Sequence, residues 1–381
     1  MPGTSNLTDL LKQAAPLVEQ AWNDAVVLDA PLLVKDGVRS RILRCRVQPR
    51  ASAVASIIIK EMKADLACGF SEWASLAFLT AVPAAQGIAP HFYGGHETGR
   101  FLVMEDLGSG CSVDDVLRGD DAHAAQATLQ TLAVQMARLH GVTLAGEDGF
   151  ETMRWALPAR EGLGRREEAR RWLAGCARLD QWFEGVNCVP PPGFESCLAS
   201  IAAVYAEPGP WLAFTHGDPA PSNNHVAADR VRLLDFEYGA MRHALYDITA
   251  WNVLCPLPLP VVAAMSRCFR EELAQHCPAA RDEAAYRKAW ATLCAYRALA
   301  MLTWIPPSIM ARNQPWVGEW TMREAVLAAV SRLHGVTAAI AELEPISEAA
   351  LQLAGALRSR WREFADGADV TPHWPAFSRG M

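Results

Sequence analysis

The chain has 381 residues, of which 51% are hydrophobic and 20% charged. That composition is ordinary for a globular protein, and the length exceeds the ~250–300 residues at which one core stops growing, so two lobes are expected. Against 35 basic residues stand 42 acidic ones, a net charge of −7 with no basic tail or Lys-rich run, which argues against a nucleic-acid partner; the acidity serves solubility first and suits a cationic small substrate only weakly.

The start, MPGTSNLTDLLKQAAPLVEQAW, lacks a basic segment followed by an apolar run and does not read as a signal peptide. No apolar stretch reaches the ~18 residues of a membrane span, so no membrane partner is expected. The 10 cysteines include no Cys-x-x-Cys pair and read as reduced core residues of a cytoplasmic protein.

Residues 6–23 form an amphipathic helix with Leu7, Leu10, Leu11, Ala14 and Leu17 on one face. Residues 31–47 then read as strand, turn, strand. Leu43, Cys45 and Val47 alternate with Arg44 and Arg46, a half-solvated β pattern. A third strand, 53–62, carries Lys60 near its end, and a helix over 71–82 has Glu72 in its first turn. A hairpin over His91–Gly94 and Arg100–Met104 ends in a polar exit. From about residue 112 helical patterns dominate, beginning with a helix over 124–142 that stops at Gly141. Residues 151–210 read as irregular helices and loops. Two short strands flank a polar stretch over 214–239, and helical segments follow near 241–252, 259–277, 282–304, 319–342 and 346–366.

That polar stretch, FTHGDPAPSNNHVAADRVRLLDFEYG, sets His216, Asp218, Asn223 and Asp235 around a Pro-rich turn. It resembles the His-x-Asp-x-x-x-x-Asn loop and following Asp-Phe of the aminoglycoside phosphotransferase and choline kinase family. The resemblance extends to Lys60, Glu72 and Met104-Glu105-Asp106-Leu107, in the order that fold requires, over roughly residues 30–250. It implies an α+β, protein-kinase-like bilobal fold. Residues 1–107 would be a small antiparallel β N-lobe with one helix, and 108–381 a large, mainly helical C-lobe.

The chemistry needs these residue types. Phosphoryl transfer asks the protein for positioning and charge stabilisation more than for covalent work. Mg²⁺ prefers oxygen ligands and keeps waters, so Asn223 and Asp235 are the expected metal ligands. Asp218 is the expected base that orients the acceptor hydroxyl. The resemblance implies that Lys60 neutralises phosphate charge on ATP (or GTP), that Glu72 holds Lys60, and that Glu105 and Leu107 offer backbone groups to the adenine edge. Asp247 matches a family residue that buttresses the loop, and His216 supports it by hydrogen bonds. Singly, each residue has a plainer reading: Lys60 as a snorkelling surface lysine, Glu72 as a first-turn residue favoured by the helix dipole, with Glu61 as its rival for Lys60.

Two departures stand out. The loop expected to cradle phosphates, Lys35 to Arg41, has one glycine; its amides and Ser40 remain available, while Arg39 and Arg41 read slightly better as solvating a hairpin. Glu237 replaces the Gly of Asp-Phe-Gly, resembling the Asp-Tyr-Glu of choline kinases, and no Ala-Pro-Glu segment follows; both argue against a protein kinase.

The resemblance implies a small-molecule alcohol as acceptor: an aminoglycoside or other antibiotic, an amino alcohol or a sugar. Trp and acidic side chains suit an amine, and Glu237, Trp316, Glu319 and Trp320 are the candidate substrate contacts, with Glu324 nearby in sequence. Trp251 and Trp304 read as helix-packing core. Two other classes stay open: a catalytically silent kinase-fold binding protein, and a metal hydrolase using His216, Asp218, His225 and Asp235.

Overall fold

The computed structural model describes residues 7–49, 56–158, 164–228, 230–255, 257–316, 320–364 and 374–378. It separates into two units, one of Met1–Cys111, Gly146–Gly162 and Asn223–Ala240, the other of Ser112–Ala145, Leu163–Ser222 and Met241–Met381. The expected boundary after 107 lies close to Cys111, and two later segments return to the first unit.

The first unit begins with α1 (Leu7–Trp22), followed by β1 (Val26–Asp36), β2 (Ser40–Pro49), β3 (Ser56–Met62), α2 (Leu66–Ala81), β4 (Phe92–His96) and β5 (Phe101–Glu105). The strands form one antiparallel sheet in the order β1-β2-β3-β5-β4. Strand alternation divides its residues between two faces. Leu43, Cys45, Val47, Ile57, Ile59, Phe101 and Val103 pack with Leu10, Ala14 and Val18 of α1 in one apolar cluster. Arg44 and Arg46 point away and pair with Asp106 and Asp29. Lys60 leaves β3 on the face opposite Ile59. Because β3 is paired on both sides, with Lys60 opposite Ile42 and Leu102, the position of this side chain is fixed by two registers.

The first unit holds more helix than the sequence pattern predicts. Besides α1 and α2 it includes the helix Glu147–Trp155, whose Phe150 meets Phe78 of α2 edge to face, ring centroids 5.6 Å apart. Helix α2 starts five residues ahead of the expected position 71, after Asp65 in a left-handed conformation with no side-chain cap. Glu72 therefore sits beyond the first turn. Asp65 is a residue type that caps helices, but here its side chain makes no cap hydrogen bond.

The second unit is mainly helical. The helices Ala122–Val142 and Leu259–His276 pack on each other, and Met322–Thr337 packs on Glu344–Arg360. Glu283–Trp304 is buried along most of its length. Within 151–210, read as irregular helices and loops, lie the helices Arg165–Gly175, Asp180–Gly185 and Phe194–Ala206. Leu212–Thr215 pairs with Ala240–His243, the strand in which the division between the units falls.

All 10 cysteines are free, but Cys111 is exposed and Cys68, Cys188 and Cys268 are half-buried, so the core reading fails for these four. Among the described residues no helix is long and apolar enough to cross a membrane.

Candidate functional site

The first unit places a buried cation among carboxylates. Lys60 is 8% exposed. Its Nζ lies 2.5 Å from Glu72 Oε2 and donates to Asp235 Oδ1 at 2.7 Å. Burial alone would favour the neutral amine; the charges of Glu72 and Asp235 outweigh it and hold the ammonium well above its usual range. Burial pushes Glu72 up, against the attraction of Lys60 and with the repulsion of Asp235. Glu61, one residue from Lys60, points to the other face of β3 and pairs with Arg41 at 2.6 Å. Of the two rivals, Glu72 is the partner of Lys60.

Asp235 has φ 64°, a left-handed conformation uncommon outside glycine. Such strain persists only when the surroundings hold it. Here the next residue, Phe236, is fully buried, and its carbonyl accepts from Ser75 Oγ of α2 at 3.2 Å. Ser75 lies three residues after Glu72, so one face of α2 meets Lys60 and the backbone beside Asp235. Sequence reading gave Ser75 no role; its spacing from Glu72 is the signal that could have found it.

Asn223 and Asp235 come together through a hairpin. Asn224–Ala227 pairs with Arg230–Leu233, with Asn224 opposite Leu233. Leu234 N–H donates to the Asn223 carbonyl at 3.0 Å. Both residues leave the same end of the ladder, an oxygen-only donor set that fits a hard cation such as Mg²⁺. Among the described residues no three His, Cys, Asp or Glu gather into a metal cluster, so the histidines of the hydrolase reading do not assemble one there.

Lys60, Glu72, Asp235 and Glu237 line a cavity of about 180 Å³ with Lys35, Arg39 and Ser40. Glu237 pairs with Arg39 at 2.7 Å. Burial and the neighbouring Asp235 raise Glu237, with Arg39 acting against them. Cys68, also on the wall, has its thiol pushed up to about 12, first by burial and then by Asp65, so it is no nucleophile at neutral pH.

At the end of β5, the Glu105 amide donates to the His91 carbonyl at 2.8 Å, and the Glu105 carboxylate is held by Arg232 at 2.6 Å. Burial raises that carboxyl, but the Arg232 and His91 hydrogen bonds leave it lowered. Of the backbone groups expected to face adenine, the Glu105 amide is thus committed to His91, whereas the Leu107 backbone has no hydrogen-bond partner among the described residues.

In the second unit the loop His216–Asp218 is built on a buried carboxylate. Asp247, fully buried, accepts from His216 N–H at 2.7 Å, Gly217 N–H at 3.0 Å and His140 Nε2 at 2.8 Å. Burial raises its pKa, but the His140 hydrogen bond and charge, with the other donors, bring it down to about 2. Gly217 has φ +87°, which turns its amide toward Asp247 without a Cβ penalty. Asp218 N–H donates to His216 Nδ1 at 3.3 Å. His140 escaped sequence reading because it closes a helix 107 residues away in sequence. The same holds for Arg242, which is 7% exposed, donates to Thr215 Oγ1 beside His216, and is held by Glu168 at 2.6 Å.

Trp316 and Trp320 meet through their backbones, Trp316 N–H donating to the Trp320 carbonyl at 2.7 Å. Trp320 is 4% exposed, in the interior rather than at a rim, and Trp316 is half-buried. Glu319 lies outside the described residues. Glu324 serves a capping box with Thr321. Trp251 is buried as expected, but Trp304, read as core, is 55% exposed at the end of its helix.

No protein-family model and no curated protein matches this sequence. Solved structures do resemble the chain. A choline kinase from Cryptosporidium parvum Iowa II is 11% identical, over 96% of this chain and 98% of that one, with a TM-score of 0.47. A choline/ethanolamine kinase family protein from Mesorhizobium loti is 14% identical, over 92% and 99%, at 0.46. A macrolide 2'-phosphotransferase from Brachybacterium faecium is 18% identical, over 73% and 97%, at 0.44. The chain is similar to small-molecule kinases and phosphotransferases, the group its motifs resemble.

Proposed function

We propose that the chain is an ATP-dependent O-phosphotransferase acting on a hydroxyl of a small molecule. One observation carries the reading: a buried lysine fixed by two register-locked neighbours, held between Glu72 and a strained Asp235, on the wall of a cavity. A structural ion pair needs neither the strain nor the cavity.

In this reading Lys60 neutralises charge on the α- and β-phosphates, and Glu72 keeps its ammonium aimed there. Asp235 and Asn223 supply oxygen ligands for Mg²⁺, which when bound lowers the cost of charge on the transferring phosphoryl group. Asp218 accepts the proton of the acceptor hydroxyl as its oxygen bonds to the γ-phosphorus. The bond from that phosphorus to the bridging oxygen breaks, and ADP leaves. Asp247 and His140 act through the loop by fixing the His216 and Gly217 amides. Leu107 offers its backbone to the nucleotide base, and the acceptor is an aminoglycoside or other antibiotic, an amino alcohol or a sugar.

A second reading, a silent nucleotide-binding protein, draws on the loop Lys35–Arg41, which has one glycine and an arginine paired to Glu237. Mg-dependent ADP release from ATP, with GTP in parallel, against a panel of aminoglycosides, macrolides, amino alcohols and sugars separates the two. The kinase reading expects stimulation by one acceptor class and its loss in Asp218→Ala, with nucleotide affinity kept. Nucleotide binding with no stimulation by any acceptor favours the silent protein; wild-type turnover in Asp218→Ala contradicts the mechanism.

A further inference from the structure

A phosphate-cradling loop works through backbone amides, and it needs the freedom that several glycines provide. The turn between β1 and β2 lacks that freedom. Gly37 N–H donates to the Ser40 carbonyl at 2.9 Å, closing a turn over Val38 and Arg39. The Arg39 carbonyl then accepts from the amides of Lys63 at 2.8 Å and Ala64 at 3.2 Å. The turn is pinned to the segment that joins β3 to α2, which restricts how far its backbone can reshape around a phosphate. Side chains are left to supply the charge.

The cavity wall holds three cations, Lys35, Arg39 and Lys60, and four carboxylates, Asp65, Glu72, Asp235 and Glu237. Lys60 is locked between Glu72 and Asp235. Arg39 is in a different situation: its side chain is 50% exposed, and it contacts Glu237, whose side chain is 12% exposed, at 2.7 Å. Tyr238 also hydrogen-bonds the guanidinium. A long, half-exposed arginine can turn without disturbing the core, and its planar fork matches two oxygens of a phosphate as it matches a carboxylate.

We propose that Arg39 is a phosphate-binding residue that exchanges Glu237 for the β- and γ-phosphates of the nucleotide, taking the role that a glycine-rich loop would fill. The inference rests on the reading of the cavity as the nucleotide site. In the ligand-free state Arg39 pairs with Glu237 and offsets the repulsion between Glu237 and Asp235. Triphosphate entry replaces one anion on the half-exposed Arg39 with another, so the guanidinium stays paired while the Glu237 carboxylate is released beside Asp235.

The test is calorimetric binding of Mg-ATP and of adenosine to the wild type, Arg39→Gln, Arg39→Lys and Lys60→Met. A lost charge-assisted contact of ~1.4 kcal/mol is a tenfold change. Arg39→Gln should therefore weaken Mg-ATP about tenfold or more while adenosine affinity and the melting temperature stay as in the wild type. Arg39→Lys should recover part of the loss, since charge returns without the fork. An unchanged ratio of Mg-ATP to adenosine affinity in Arg39→Gln, with Lys60→Met still defective, overturns this inference alone. No Mg-ATP binding by the wild type overturns it together with the phosphotransferase reading.

Discussion

Both units of the molecule bury charge, and the burials of Asp247 and Lys60 differ in kind. In the second unit Asp247 is surrounded by donors, from His216, Gly217 and His140, and its environment is complete without a ligand. In the first unit Lys60 meets more negative charge than it can balance, one of its carboxylates has a side chain 35% exposed, and a cavity lies beside it. The first arrangement holds a loop in shape. The second can exchange a partner. A satisfied buried charge reads as support, and an over-supplied one beside open space reads as a binding site.

The contrast can be broken by removing each charge in turn. Asp247→Ala leaves the buried His216 amide, the half-buried Gly217 amide and a buried imidazole without their acceptor, and should cost about 3–5 kcal/mol of unfolding free energy in denaturant titration. A loss below about 1 kcal/mol would mean that Asp247 supports nothing. Lys60→Ala strands Glu72 and should cost somewhat less, about 3 kcal/mol, because Asp235 can relax toward water; Lys60→Ala/Glu72→Ala should recover part of it, and purely additive losses would show that the two are uncoupled.

Acid separates the units more gently. The Asp247 pKa is lowered from 3.8 to about 2. A depressed carboxylate stabilises the fold above its unfolded value and loses that contribution as pH falls through the folded one. Roughly 2 kcal/mol should therefore disappear between pH about 4 and about 2, and Asp247→Asn should flatten this part of the stability–pH curve. An equally steep curve in the variant would assign acid sensitivity elsewhere. Smallest is Ser75→Ala, which removes one hydrogen bond to Phe236 and should cost ~1 kcal/mol, with a larger relative effect on nucleotide affinity if Ser75 helps hold Asp235 in its left-handed conformation.

Much of this arrangement was legible in the sequence, because its parts are local. Strand alternation identified Leu43, Cys45 and Val47 as one buried row, and the same alternation, applied to β3, would have removed Glu61 as a partner for Lys60. The family resemblance, with Asn223 at its fixed offset from Asp218 and Asp235 ending an apolar run, marked these residues as a group, whereas the hairpin between Asn223 and Asp235 was not anticipated. What the sequence hid is non-local or end-dependent. His140 and Arg242 reach the loop around His216 only through tertiary packing, and Asp65, a capping residue type ahead of Leu66, was passed over as the start of α2. Trp304 and Trp320 were exchanged in burial because aromatic residues near segment ends carry no periodic context: one projects to solvent and the other packs inside.

The central claim is that the cluster around Lys60 and Asp235 holds nucleotide phosphates through a divalent cation. Its most direct test is ATP binding to the wild type and Asp235→Ala, each with and without Mg²⁺. The account expects Mg-dependent binding by the wild type that falls at least tenfold in the variant, with the residual affinity no longer responding to Mg²⁺. Equal, Mg-dependent affinity in both proteins would contradict it.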